Sequence, residues 1–140
     1  MSLTSTSVEA TEQIAADLVP TLVSGDVIAL DGELGAGKTQ FVRGLVRALG
    51  GEARSVSSPT FVLLNVYPTP RLQVFHLDAY RVGGADDFDT IGFAELLEQG
   101  GLVVVEWASR VQSILPPRHV EVRIERTGLT TRCISMERRT

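Results

Sequence analysis

Eight consecutive residues carry the densest chemistry of the chain. Gly32-Glu33-Leu34-Gly35-Ala36-Gly37-Lys38-Thr39 satisfies the pattern G-x-x-x-x-G-K-[ST] at every specified position. The glycines tolerate backbone angles and close approaches that a Cβ forbids, so successive N–H groups can face an anion. Lys38 has the reach to meet the β- and γ-phosphates of a nucleoside triphosphate, and the Thr39 hydroxyl is a hard oxygen ligand for the bridging Mg²⁺. The stretch predicts a loop that holds Mg-ATP or ADP, with residues 33 to 40, from Glu33 to Gln40, along the phosphates.

Three further clusters follow. Ser58-Pro59-Thr60-Phe61 is a polar segment entering an apolar run, a place where Thr60 can sense a γ-phosphate or its metal as a switch threonine does. In His76-Leu77-Asp78-Ala79-Tyr80-Arg81, strand alternation puts His76 and Asp78 on one face, and Asp78 is a candidate for positioning water or Mg²⁺. Leu102-Val103-Val104-Val105-Glu106 is a buried-type strand ending in a carboxylate. A buried Glu without a cation is costly, so Glu106 reads as a second metal-shell and catalytic group. Trp107 emerges at the same rim.

The elements that must position these groups are visible in the periodicity. Val27 to Asp31 is an apolar run of strand length just before the loop, and Phe41, Val42, Leu45, Val46 and Leu49 recur at helical spacing just after it. A helix is expected from about Glu9, with Ser7 as its cap and Pro20 limiting its length, and Thr11 lies on it. Strands over residues 62–67 and 72–77 flank Pro68-Thr69-Pro70 as a hairpin; short helices are expected within 86–101 and 108–115. His119 to Arg126 alternates, and Leu129 to Met136 returns beside it as a C-terminal hairpin. The expected fold is α/β: one phosphate-loop domain over residues 1–140, residues 1–8 being a flexible leader, with a mainly parallel central sheet plus antiparallel strands.

Bulk properties narrow the function classes. A net charge of −4 over 140 residues lacks the basic footprint of a tight nucleic-acid binder. One cysteine, Cys133, excludes an internal disulfide, and no Cys/His spacing suggests zinc. The chain shows neither a secretory leader nor an apolar run of bilayer length, so a cytoplasmic location is expected.

Taken together and in this order, the phosphate loop, Ser58-Pro59-Thr60-Phe61, His76-x-Asp78-x-Tyr80-Arg81 and Val105-Glu106-Trp107-Ala108 resemble the bacterial TsaE (YjeE) family. The resemblance implies a small ATPase needed for threonylcarbamoyladenosine formation in tRNA. It implies TsaD and TsaB as protein partners, whose complex is reset between turnovers by ATP binding and hydrolysis; tRNA would be met only through that complex, and neither DNA nor a membrane is involved. It assigns Thr39 and Glu106 to Mg²⁺, Lys38 to phosphate, Thr60 and Asp78 to the switch and catalytic region, Trp107 to the neighbourhood of the nucleotide, and Thr11 to the base or ribose. Glu33 and Gln40 stand where the family commonly has Asp and Thr.

The reaction expected is slow phosphoryl transfer to water, completed by a partner, because no arginine is placed as a finger and Arg81 is the nearest candidate. Two competitors are a nucleotide-gated interaction module with incidental hydrolysis and a small-molecule kinase. The second would need an acceptor pocket and lid for which 140 residues leave little material.

Overall fold

The protein is described by a computed structural model covering residues 1–33, 35–57, 64–79 and 92–140. Its strands are β1 (Ser2–Ser5), β2 (Val27–Asp31), β3 (Leu64–Tyr67), β4 (Val74–Asp78), β5 (Leu102–Glu106), β6 (His119–Arg126) and β7 (Arg132–Arg139). Its α-helices are α1 (Val8–Leu18), α2 (Lys38–Ala48) and α3 (Phe93–Glu98), and a 3-10 helix spans Ala108–Ile114. The strands form one sheet in the order β1-β7-β6-β2-β5-β4-β3. The inner four, β6, β2, β5 and β4, run parallel, while β7, β1 and β3 are added antiparallel at the two sides.

Alternation sorts the core into two layers. Ile28, Leu30, Val104 and Val122 face α1 and α2, where Phe41, Val42 and Leu45 complete one cluster. Ala29, Leu77, Val103 and Val105 point the other way, onto α3 and the 3-10 helix, through Phe93, Leu96 and Val111. With both faces covered, β2 and β5 must be apolar throughout, which is why each reads as an unbroken run in the sequence. α1 begins where its cap was expected: the Ser7 hydroxyl accepts from the Ala10 N–H at 3.0 Å.

The leader expected over residues 1–8 is instead structural. Ser2 to Ser5 pair with Ser135 to Arg132 as an antiparallel strand, and Ser5 is buried. A four-residue strand with one apolar residue, Leu3, is invisible to periodicity, because backbone pairing to an exposed edge needs no apolar face. The C-terminal strand also extends beyond the expected Met136. His119 pairs with Arg139 at the far end of the hairpin, and the Arg139 guanidinium reaches Glu121 at 3.1 Å, so Glu137 to Arg139 are part of the sheet. The Arg139 hydrogen bond is the main reason the Glu121 carboxyl is held below its ordinary value.

α1 and α2 approach closely at Gly44. A Cβ there would lie 2.7 Å from the Glu12 Cα and 2.9 Å from the Ala15 side chain, and Glu12 pairs with Arg47 beside the crossing. In an isolated helix Gly→Ala is worth about 1 kcal/mol of stabilisation. Here the clash is with backbone, which cannot rotate away, so overpacking wins. Gly44→Ala is expected to destabilise the fold by about 1–3 kcal/mol in denaturant titration; a stabilising change would show that the helices separate freely.

Candidate active site

The C-terminal ends of the parallel strands converge on the start of α2, the place where open α/β sheets hold ligands. β2 ends at Asp31 and the chain turns through Gly35 and Gly37, whose φ values of 80° and 112° favour glycine. Gly37 caps α2, and Lys38, Thr39 and Gln40 form its first turn. The helix therefore directs its positive end at the loop.

Lys38 is 6% exposed although it carries an ammonium group. Its Nζ donates to the Gly32 carbonyl, lies 3.9 Å from Glu106 Oε1, and sits 3.9 Å above the Trp107 ring. Desolvation pushes the Lys38 pKa below its usual value, opposed in turn by the negative charges of Glu106, Asp78 and Asp31. Because the folded pKa is the lower one, charging Lys38 costs stability below it, and that cost disappears as pH rises through the folded pKa towards the unfolded value.

Glu106 ends β5 and is 3% exposed; Asp78 ends β4 beside it, the two being register partners. The sheet face that carries them also carries His76, one alternation back on β4. His76 is fully buried, and its Nε2 is hydrogen-bonded to Glu106 Oε2. The pair of ionisable groups expected at His76 and Asp78 is thus a trio with Glu106, set against Lys38.

Trp107 follows Glu106 at φ 58° and ψ 39°, the one non-glycine residue with positive φ among those described. Such a conformation costs a bulky residue about 1–3 kcal/mol. The Trp107 N–H donates to the Leu30 carbonyl at 3.0 Å, tying the turn to β2 and placing the indole over the lysine.

Arg132, at the start of β7, was not singled out from the sequence. Its Nε donates to the Ala36 carbonyl at 2.8 Å and its Nη2 to the Gly35 carbonyl at 3.3 Å, so the outer side of the phosphate loop is clamped by the C-terminal hairpin. Thr11 belongs to the same support. It is buried on α1 and its hydroxyl is 2.7 Å from that of Ser5, the register partner of Arg132.

A cavity of about 730 Å³ opens from the loop on the β6 side, walled by Gly32, Glu33, Ala36, Trp107, Ile124 and Arg126. Thr11 is not part of its wall. The structure therefore brings Glu33, Ala36, Gly37, Lys38, Glu106 and Trp107 together, and sets Thr11 behind them. Leu34, the Ser58-Pro59-Thr60-Phe61 segment, Tyr80 and Arg81 lie outside the described residues.

Known proteins resemble this chain in sequence and in overall fold. The model of the family described as threonylcarbamoyl adenosine biosynthesis protein TsaE matches residues 5–134. This chain belongs to the TsaE family. The TsaE of Treponema pallidum is 45% identical over 101 residues, 72% of this chain and 73% of that protein. The TsaE of Bacillus subtilis is 37% identical over 120 residues, 86% of this chain and 74% of that protein. The crystal structure of Bacillus subtilis YdiB superposes with a TM-score of 0.81 at 28% identity, covering 100% of this chain and 86% of that one.

Two outcomes test the site. Arg132→Met is expected to destabilise the fold by about 1–3 kcal/mol in denaturant titration, the cost of losing charge-assisted bonds to the loop carbonyls; unchanged stability would show that the loop holds its shape alone. In thermal melts without nucleotide, wild-type protein is expected to gain stability relative to Lys38→Met as pH rises from neutrality into the lysine range, following the sign above. A gap independent of pH would contradict the desolvation of Lys38.

Proposed function

We propose that this protein binds and slowly hydrolyses ATP with Mg²⁺ in the formation of threonylcarbamoyladenosine in tRNA, acting with TsaD and TsaB to reset their complex between turnovers. The observation that carries the reading is the buried meeting of Lys38 with Glu106 at the mouth of the phosphate loop. Among the described residues no helix is long and apolar enough to cross a membrane, and the proposed setting is the cytoplasm, with tRNA reached through the partners.

The donor set fits a magnesium ion. No group of three or more His, Cys, Asp or Glu among the described residues would hold a metal by itself. Magnesium on a nucleotide asks for less, because phosphate oxygens and water fill most of its shell. Thr39 in the first turn of α2 and Glu106 at the end of β5 would supply the protein oxygens. When bound, the ion neutralises charge on the β- and γ-phosphate oxygens.

The chain's own groups do the rest. Loop N–H groups and the α2 N-terminus bind the phosphates, with Lys38 exchanging the Gly32 carbonyl for them. Asp78 and Glu106, side by side at the strand ends, orient the attacking water, and Asp78 accepts its proton. Thr60 acts as the γ-phosphate sensor, and the cavity beside Trp107 takes the nucleoside.

Lys38→Ala is expected to weaken ATP binding at least tenfold, whereas Glu106→Gln should keep nucleotide affinity and lower turnover about 100-fold. Phosphate release, measured with and without TsaD and TsaB, should rise strongly with the partners. Equal effects of both substitutions on binding alone, or turnover indifferent to the partners, would contradict the proposal.

A further inference from the structure

Glu106 is not held by Lys38 alone. Its two oxygens have different partners: Oε1 faces the Lys38 ammonium at 3.9 Å, while Oε2 is engaged by His76 Nε2. The other ring nitrogen, His76 Nδ1, is 3.2 Å from the Tyr67 hydroxyl. Tyr67 lies across the β3–β4 hairpin, 3% exposed, and its ring is tilted against the imidazole with centroids 5.8 Å apart. The hydroxyl is itself pinned from outside: it lies 3.0 Å from the Ser57 carbonyl, and its oxygen accepts from the Ser57 N–H and the Asn65 amide, each at 3.3 Å.

We infer that His76 and Tyr67 are positioning residues for hydrolysis: they form a hydrogen-bonded strut from the Ser57 backbone to Glu106 that fixes which carboxylate oxygen faces the reaction. Nothing in the phosphate-loop chemistry requires either residue, and neither lines the cavity beside the loop. Their cost is plain, since a fully buried imidazole needs both nitrogens satisfied, and the sheet supplies one partner for each. With Oε2 engaged by His76, the Glu106 carboxylate cannot spin about its terminal torsion, a torsion that is broad when unconstrained. Oε1 is thereby kept at the mouth of the loop, towards Lys38 and the transferring phosphate. A carboxylate turned by a fraction of its rotation still sits in the site but meets the water in the wrong geometry, which lowers kcat and leaves nucleotide binding intact.

The strut rests on the proposed hydrolysis, and its test separates the two. Tyr67→Phe keeps the ring and removes only the hydroxyl. In the partner-stimulated assay it is expected to lower kcat five- to tenfold, with the Kd for ATP within twofold of wild type. His76→Ala should lower kcat further, His76→Gln should recover part of that loss by donating to Glu106 again, and Tyr67→Phe on top of His76→Ala should add nothing, because the tyrosine acts only through the ring. Additive losses, or losses that follow the melting temperature and appear equally in Kd, would overturn the strut as a positioning device. The imidazole N–H resonance of His76 supplies a readout independent of turnover: it should shift in both Glu106→Gln and Tyr67→Phe, and insensitivity to either would overturn the strut itself. Wild-type protein without turnover even beside its partners, with the resonance shifting as stated, would overturn the hydrolysis reading and the catalytic purpose of the strut while leaving its hydrogen bonds established.

Discussion

An ammonium and a carboxylate buried together at one end of a sheet set the constraint that the surrounding structure has to meet. Lys38 and Glu106, 6% and 3% exposed, lie 3.9 Å apart. At an effective dielectric of about 20 their attraction is worth about 4 kcal/mol, while removing each ion from water costs several kcal/mol. The pair is thus no net source of stability, and a pair of apolar residues would serve the fold as well. What it requires is a fold rigid enough to bear it. That requirement accounts for the covered faces of β2 and β5, the Gly32 carbonyl and Trp107 ring on the lysine, and the histidine on the glutamate.

Two parts of the molecule far from the loop in sequence are drawn into its support. The C-terminal hairpin supplies Arg132, 96 residues from Ala36, and the N-terminal strand completes the edge against which Arg132 is set. On the opposite side, the β3–β4 hairpin carries Tyr67 and His76 inward to Glu106. The antiparallel additions on both sides of the parallel centre therefore share one task, which is to fix the loop backbone and the Glu106 side chain. The backbone at Trp107 is strained for the same end, a local cost met by burial around it.

Where side chains had to be apolar on a fixed period, the sequence already displayed the structure. β2 and β5 were legible as unbroken apolar runs, β6 as strict alternation, and α1 by its Ser7 cap. The loop was legible because its chemistry prescribes residue types. β1 was not, since its pairing is a backbone matter, and the end of β7 was hidden by a basic composition that reads as solvated charge. Arg132 could not be distinguished from any other arginine in a Thr-rich turn, because its role exists only once the hairpin lies against the loop. Thr11, which the family likeness links to the base or ribose, is buried on α1 with its hydroxyl against that of Ser5, a pairing that exists only once β1 lies in the sheet.

A crystal structure of the protein with Mg²⁺ and a non-hydrolysable ATP analogue tests the site most directly. The triphosphate is expected in the loop between residues 32 and 39, with Lys38 Nζ moved from the Gly32 carbonyl onto the β- and γ-phosphates, Thr39 and Glu106 beside the metal, and the nucleoside in the cavity by Trp107. A triphosphate bound elsewhere, with Lys38 still on Gly32 and Glu106, would contradict that placement.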